Sequence, residues 1–132
     1  MTVHAPSATR FGTGVRPDVP PKISGEFEYS NDVRIPGMLF GATKRSPHAH
    51  ARLVSIDTAK ALAIPGVHRV FTHEDVVPGR LLGHIVHDQP VFVSEVARHE
   101  GEPVAFVVAD SQERAWEALD AIDVTLSLIH IS

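Results

Sequence analysis

Pro103-Val-Ala-Phe-Val-Val-Ala109 is apolar from end to end and is followed at once by Asp110-Ser-Gln-Glu113. A β-branched run of this length with no polar alternation reads as a central strand covered on both faces. Pro103 stands at its first position, where a missing N–H costs little. The next residues open a helix. Asp110-Ser-Gln-Glu113 has the spacing of a capping box, in which Glu113 reaches back to the cap amide. Ala115, Leu119 and Ile122 then fall at i, i+4 and i+7, flanked by Trp116 and Ala118, while Arg114, Glu117 and Asp120 lie mostly elsewhere. The spacing predicts an amphipathic helix over 111–122 docked on a sheet.

Upstream, the same strand-then-helix texture repeats. Gly37-Met-Leu-Phe-Gly-Ala-Thr43 is an apolar run of strand length, and Lys44-Arg-Ser-Pro-His48 is a basic turn. A second strand is expected over 50–56, and a short helix over 57–63 with Asp57 as its N-cap. Pro65-Gly66 stops that helix, and Val67–Phe71 is a β-branched strand. Thr72-His-Glu-Asp75 reads as a capped turn. Residues 77–90, with Pro78, Gly79, Gly83 and Pro90, form an irregular excursion that re-enters the core through Val91-Phe-Val93. These elements predict an α+β domain: a small mixed sheet carrying two helices.

Both ends read differently. Residues 1–25 are punctuated by prolines and glycines with isolated apolar residues, and are expected to be an extended tether ordered only against another surface. Glu26–Tyr29 is expected as a short strand before a polar turn at Ser30-Asn-Asp32, and the domain proper is expected over 26–124. At the other end, Leu126-Ser-Leu-Ile-His-Ile-Ser132 is also the translation of one frame of a common transposon-end sequencing adapter. Residues 125–132 are therefore expected to be a non-native tail, a genuine short strand being the alternative that their composition allows.

The chain has 132 residues, 43% hydrophobic and 21% charged, which is one globular domain's worth. Twelve Lys and Arg against sixteen Asp and Glu leave −4, which disfavours nucleic acid and a polybasic membrane contact. No apolar run approaches a membrane span, and the first ten residues lack the pattern of a secretory signal. The absence of cysteine excludes disulfides, a thiolate nucleophile, Cys-ligated zinc and an iron–sulfur cluster held by these residues. It fits a cytoplasmic address.

Chemistry-bearing patterns are sparse. Of nine histidines, His48-Ala-His50 is the sharpest cluster. On a strand the two rings would share a face and could chelate a metal, but they are half a site without a third ligand, and His84 and His87 fall in the excursion. Glu74-Asp75 and Glu100/Glu102 flank turns, which they are expected to cap or solvate. Gly37 and Gly41 lack the Gly-Lys-Ser/Thr of a phosphate loop. Ser46 and Ser55 lack a nucleophile-elbow context, and Lys44-Arg45 reads as a solvated turn or a partner contact. The residues alone show no catalytic constellation.

Longer patterns say more. Gly37-Met-Leu-Phe-Gly-Ala-Thr-Lys-Arg-Ser-Pro-His-Ala-His-Ala51, Ser55-Ile-Asp-Thr-Ala-Lys-Ala61, Pro65-Gly-Val67, Phe71-Thr-His-Glu-Asp75 and Gly101-Glu-Pro-Val-Ala-Phe-Val-Val-Ala-Asp110 occur in this order. Together they resemble the α/β-hammerhead domain that opens the large, molybdenum-binding subunit of the xanthine dehydrogenase and aldehyde oxidase family, over about residues 18–124. Asp88-Gln-Pro-Val91 is most similar to the bacterial xanthine dehydrogenase branch. The family continues with a strand of the type Val-x-Tyr-Glu-x-Leu-Pro, from which this sequence departs after Thr125.

The resemblance implies a truncated piece of a molybdenum hydroxylase, an oxidoreductase that hydroxylates purine or aldehyde carbons with oxygen from water. It implies a molybdenum–molybdopterin cofactor in the parent, with iron–sulfur clusters and FAD on partner domains or subunits. The family's cofactor loops and catalytic glutamate lie far beyond this stretch, so no catalytic, cofactor-binding or metal residue carries over onto these positions. The expected partners are the remaining molybdopterin-binding domains of the same subunit and the iron–sulfur and FAD subunits. Two other readings stand beside it: a stand-alone interaction module, and a small metal enzyme using His48 and His50. Apolar surface that normally docks partners would be left exposed, so self-association is expected.

Overall fold

A computed structural model of the chain describes residues 16–129, and the first fifteen residues of the expected tether lie outside them. The chain divides at Pro36 into two compact units. Within the first, Val19–Ser24 forms a short helix, α1, where an extended tether is expected. Prolines are helix breakers only past the first turn; here they occupy that turn, where their missing N–H groups have no intrahelical partner to lose. Asp18 gathers Lys22 Nζ at 2.7 Å and the Arg16 guanidinium at 3.1 Å. Glu26–Tyr29 is not a strand: Phe27 N donates to Pro21 O and its ring packs edge-on against Tyr29, so the segment folds back on α1. The turn at Ser30–Asp32 forms as expected, with Asp32 N bonded to Tyr29 O.

The second unit carries the strands β1 (Phe40–Arg45), β2 (Ala51–Asp57), β3 (Val67–Phe71), β4 (Leu81–Leu82), β5 (Gln89–Pro90), β6 (Val96–Ala97), β7 (Pro103–Ala109) and β8 (Asp123–Leu128). Helices α2 (Ala59–Leu62) and α3 (Gln112–Ala121) and a 3₁₀ turn at His73–Asp75 complete it. The α+β class is as expected, but the strands do not share one mixed sheet. They form two three-stranded sheets, ordered β1-β7-β3 and β6-β2-β8, plus a β4-β5 ladder, and every pairing is antiparallel. The reason is β8: once α3 returns the chain, Asp123–Leu128 pairs along β2 and draws it into a second sheet. The expected boundary of a non-native tail, at 124/125, falls inside this strand.

β7 is central, as its composition requires. Ala105, Val107 and Ala109 point to one face and are fully buried beneath Ala61, Ala115, Ala118 and Ile122. Small residues on both sides let the α3 backbone approach the sheet closely. On the opposite face Val104 packs with Val93 and Ala97, while Phe106 and Val108 are half-buried. Val91–Val93 is not a strand, but it does re-enter the core: Val93 is buried and its N–H donates to Pro103 O at 2.8 Å. Burial of a valine side chain contributes about 1.5–3 kcal/mol, so each of these clusters matters.

The caps shift by one residue from their expected places. Asp57 Oδ1 does accept from Ala59 N at 2.9 Å, although Thr58 occupies the N-cap position of α2. On α3 the cap is Ser111, whose hydroxyl accepts from Arg114 N. The expected Asp110–Glu113 box does not form, because Asp110 is engaged elsewhere. Its N–H donates to Gly66 O at 2.8 Å, and its carboxylate lies 2.6 Å from His68 Nε2. Gly66 has φ +89, and a Cβ there would meet Arg114 Cδ at 2.7 Å, so only glycine fits this crossing.

Candidate functional site

The polar residues singled out by sequence mostly serve the fold's own turns. Ser46 is buried; its Oγ donates to His48 O at 3.0 Å and accepts from His48 N at 3.2 Å. His48 and His50 therefore sit in a bend rather than on a strand, and the shared-face premise of a metal pair does not hold. Among the described residues no three His, Asp or Glu side chains converge as metal ligands.

Lys44-Arg45 is not a solvated turn. Lys44 lies on β1 and its ammonium donates to Leu119 O at 2.8 Å, tying down the C-terminal end of α3, where the helix dipole favours a cation. Arg45 donates to Gly101 O at 2.8 Å. That second contact belongs to a double-turn clasp. Ser46 N donates to Glu102 O and Gly101 N donates to Ser46 O, locking the β1–β2 bend to the turn before β7. Glu102 sits inside the clasp at 1% exposure, its Oε2 accepting from Arg98 N at 2.6 Å with His99 Nδ1 3.6 Å away. It caps its turn, as expected of it, but from a buried position rather than in solvent.

Glu74-Asp75 forms the 3₁₀ turn. Asp75 Oδ2 accepts from Thr72 N at 2.9 Å and its other oxygen from Arg69 at 2.9 Å. The Thr72 amide, and after it Arg69, hold the Asp75 carboxyl below the usual carboxylate range. His73 lines a groove of about 450 Å³ between the β2 bulge and this turn.

What sequence reasoning did not mark residue by residue is the outward face of the excursion. β4 and β5 hold it by a ladder of two residues per strand, and Arg98 donates to Asp88 O at its base. Val77, Leu81, Leu82, Ile85 and Val86 are all exposed, Ile85 at 96% and Val86 at 64%. His84 and His87 flank that tip. The available signal was the apolar content of a loop too irregular to be a core strand.

Two small antiparallel sheets, with α2 and α3 against one of them, make this architecture that of an α/β hammerhead. The chain belongs to the aldehyde oxidase and xanthine dehydrogenase a/b hammerhead domain family, whose sequence profile matches residues 24–128. It is 42% identical over 124 residues to a probable xanthine dehydrogenase subunit of Bacillus subtilis, covering 94% of this chain and 16% of that protein. The reconstituted CO dehydrogenase from Oligotropha carboxidovorans superposes with a TM-score of 0.81 at 37% identity, covering 88% of this chain and 15% of that one. The aldehyde oxidoreductase from Desulfovibrio gigas gives a TM-score of 0.79 at 30% identity, covering 87% and 14%. The chain thus spans about a sixth of the length of these relatives. Among the described residues no helix is long and apolar enough to cross a membrane.

Proposed function

We propose that this chain is the hammerhead portion of a molybdenum hydroxylase subunit. Its role in this reading is to position: it packs against the catalytic remainder of the subunit and presents no reacting group of its own. The whole protein is an oxidoreductase hydroxylating a purine, aldehyde or related carbon, with molybdopterin-bound molybdenum in the remainder and iron–sulfur and FAD partners carrying electrons away. The cofactor supplies the redox chemistry, and the protein orients it and the substrate. The described residues do not fit the metal themselves, since their His, Asp and Glu side chains do not converge as a ligand set, and no step is assigned to them. The cysteine-free composition suits a cytoplasmic location.

One observation carries this reading. In a domain of this family, the long connection between β3 and β6 raises five large apolar side chains into solvent on a hairpin too short to hold itself. Several large exposed apolar side chains on one short connection suit a docking site, and the unmatched five-sixths of each relative supplies a surface to dock on. The test is to co-express the chain with the B. subtilis relative lacking its own matching segment. The two are expected to co-purify, and Ile85→Asp is expected to abolish this without unfolding the chain. Equal recovery with Ile85→Asp would contradict the reading.

A further inference from the structure

We propose that the groove between β2 and the 3₁₀ turn holds an extended, basic segment of the remaining subunit, which enters it past His73 from the hairpin stem. The inference rests on the reading of this chain as one portion of a larger subunit and adds a second contact to it. Two grooves meet at His73 and Ser94, which line both. The larger, of about 450 Å³, runs between the β2 bulge and the turn. The smaller, of about 200 Å³, follows the hairpin stem and is lined by Val77, Leu81, Pro90 and Phe92. Val77 and Leu81 belong to the exposed apolar set of the hairpin, so the track starts on that surface.

The larger groove exists because β6 leaves β2 early. Leu53 N donates to Glu95 O, but two residues before Glu95 the chain has already turned to β7, where Val93 N donates to Pro103 O. From Val54 to Asp57 no strand covers β2 on that side among the described residues. Val54 is 60% exposed there.

The lining states what the occupant carries. His73 Nδ1 is buried with no hydrogen-bond partner among the described residues, and an unpaired buried nitrogen calls for a hydrogen-bonding neighbour. Asp75 is matched by Arg69, whereas the exposed Glu74 carboxylate beside it has no hydrogen bond or ion pair among the described residues. No Lys or Arg lines this groove to meet Glu74. A segment that is apolar over the stem and basic at Glu74 is complementary to the whole track. Its source is the rest of the subunit, because about five-sixths of each relative lies outside the matched stretch. Many of this chain's own bases are tied to its fold, Lys44, Arg45, Lys60, Arg69 and Arg98 among them, which disfavours a second copy.

The test compares hydrogen exchange in the 132-residue chain with that in the whole B. subtilis relative carrying residues 24–128 in place of its matching segment. Exchange over residues 54–58 and 72–76 is expected to be about tenfold slower in the graft. Glu74→Lys in the graft is expected to restore the faster exchange over 72–76, and Glu74→Gln to restore part of it. Slowing confined to the hairpin, residues 77–90, would overturn this proposal and leave the hairpin docking site standing. Slowing confined to the groove would support it and contradict the hairpin docking site. A second measurement needs no graft: overlapping peptides covering the unmatched part of that relative are added to the chain alone. One that contains Lys or Arg is expected to shift the His73 ring resonances, and to lose that effect in Glu74→Lys. If no peptide does so, and the groove exchanges alike in chain and graft, the proposal is overturned.

Discussion

The ring of Phe106 lies on the Cα of Gly41: a Cβ built at Gly41 would fall 2.3 Å from Phe106 Cζ. Gly41 pairs with Val108 and Phe106 with Thr43 across β1 and β7, so the two are diagonal neighbours on the half-buried face of the sheet. An aromatic laid over a strand glycine fills the space that the missing side chain leaves. Gly41 is therefore a packing position rather than half of a ligand loop.

Gly41→Ala is expected to destabilise the chain by about 1–3 kcal/mol through this overpacking. Phe106→Leu alone should also destabilise, but combined with Gly41→Ala the losses should be less than additive, because the smaller side chain vacates the clash. Urea denaturation of the four members of this cycle measures the coupling. Strict additivity would mean that the ring does not hold Gly41 in place.

Glu102 supplies a second expectation. Glu102→Ala leaves Arg98 N without its acceptor inside the clasp and should cost about 1–3 kcal/mol. Glu102→Gln keeps an acceptor of nearly the same shape and should cost clearly less. Equal and negligible losses in the two variants would show that the β1–β2 bend and the turn before β7 hold together without this side chain.

Much of the hammerhead body was legible because its strands are short local patterns. β7 and β3 lie within the bounds their composition predicts, and α3 follows the Ala115–Ile122 stripe. The division into two sheets was not legible, because β2 meets β8 across more than sixty residues and neither segment names its partner. The polar roles were hidden for the same reason. Lys44 finds Leu119 O, and Asp110 leaves its expected capping role for His68, only once the chain has folded; the local cap of Glu102 on Arg98 N was legible, but its burial beside Ser46 was not. The prolines of α1 misled in a different way, since a first-turn proline and a helix-breaking one are the same letters.

Acid titration should report the 3₁₀ turn. The Asp75 carboxyl is held below its usual value, so it contributes stability that is complete above about pH 4 and is lost as pH falls through its folded-state value. Asp75→Asn should flatten that part of the acid limb, and the protection of the Thr72 amide, corrected for its intrinsic exchange rate at each pH, should fall as the Asp75 carboxyl of the unaltered chain is protonated. A Thr72 exchange profile unchanged by Asp75→Asn would contradict this.

The central claim, that this chain positions the catalytic remainder of a larger subunit through its exposed hairpin, is tested most directly by grafting residues 24–128 into the B. subtilis relative in place of its own matching segment. Molybdenum per chain and hydroxylation of xanthine are then measured with and without Ile85→Asp and Val86→Asp. The account predicts a loaded, active graft that loses assembly, metal and turnover together when the hairpin is charged. A graft that stays loaded and active with both aspartates in place would contradict it.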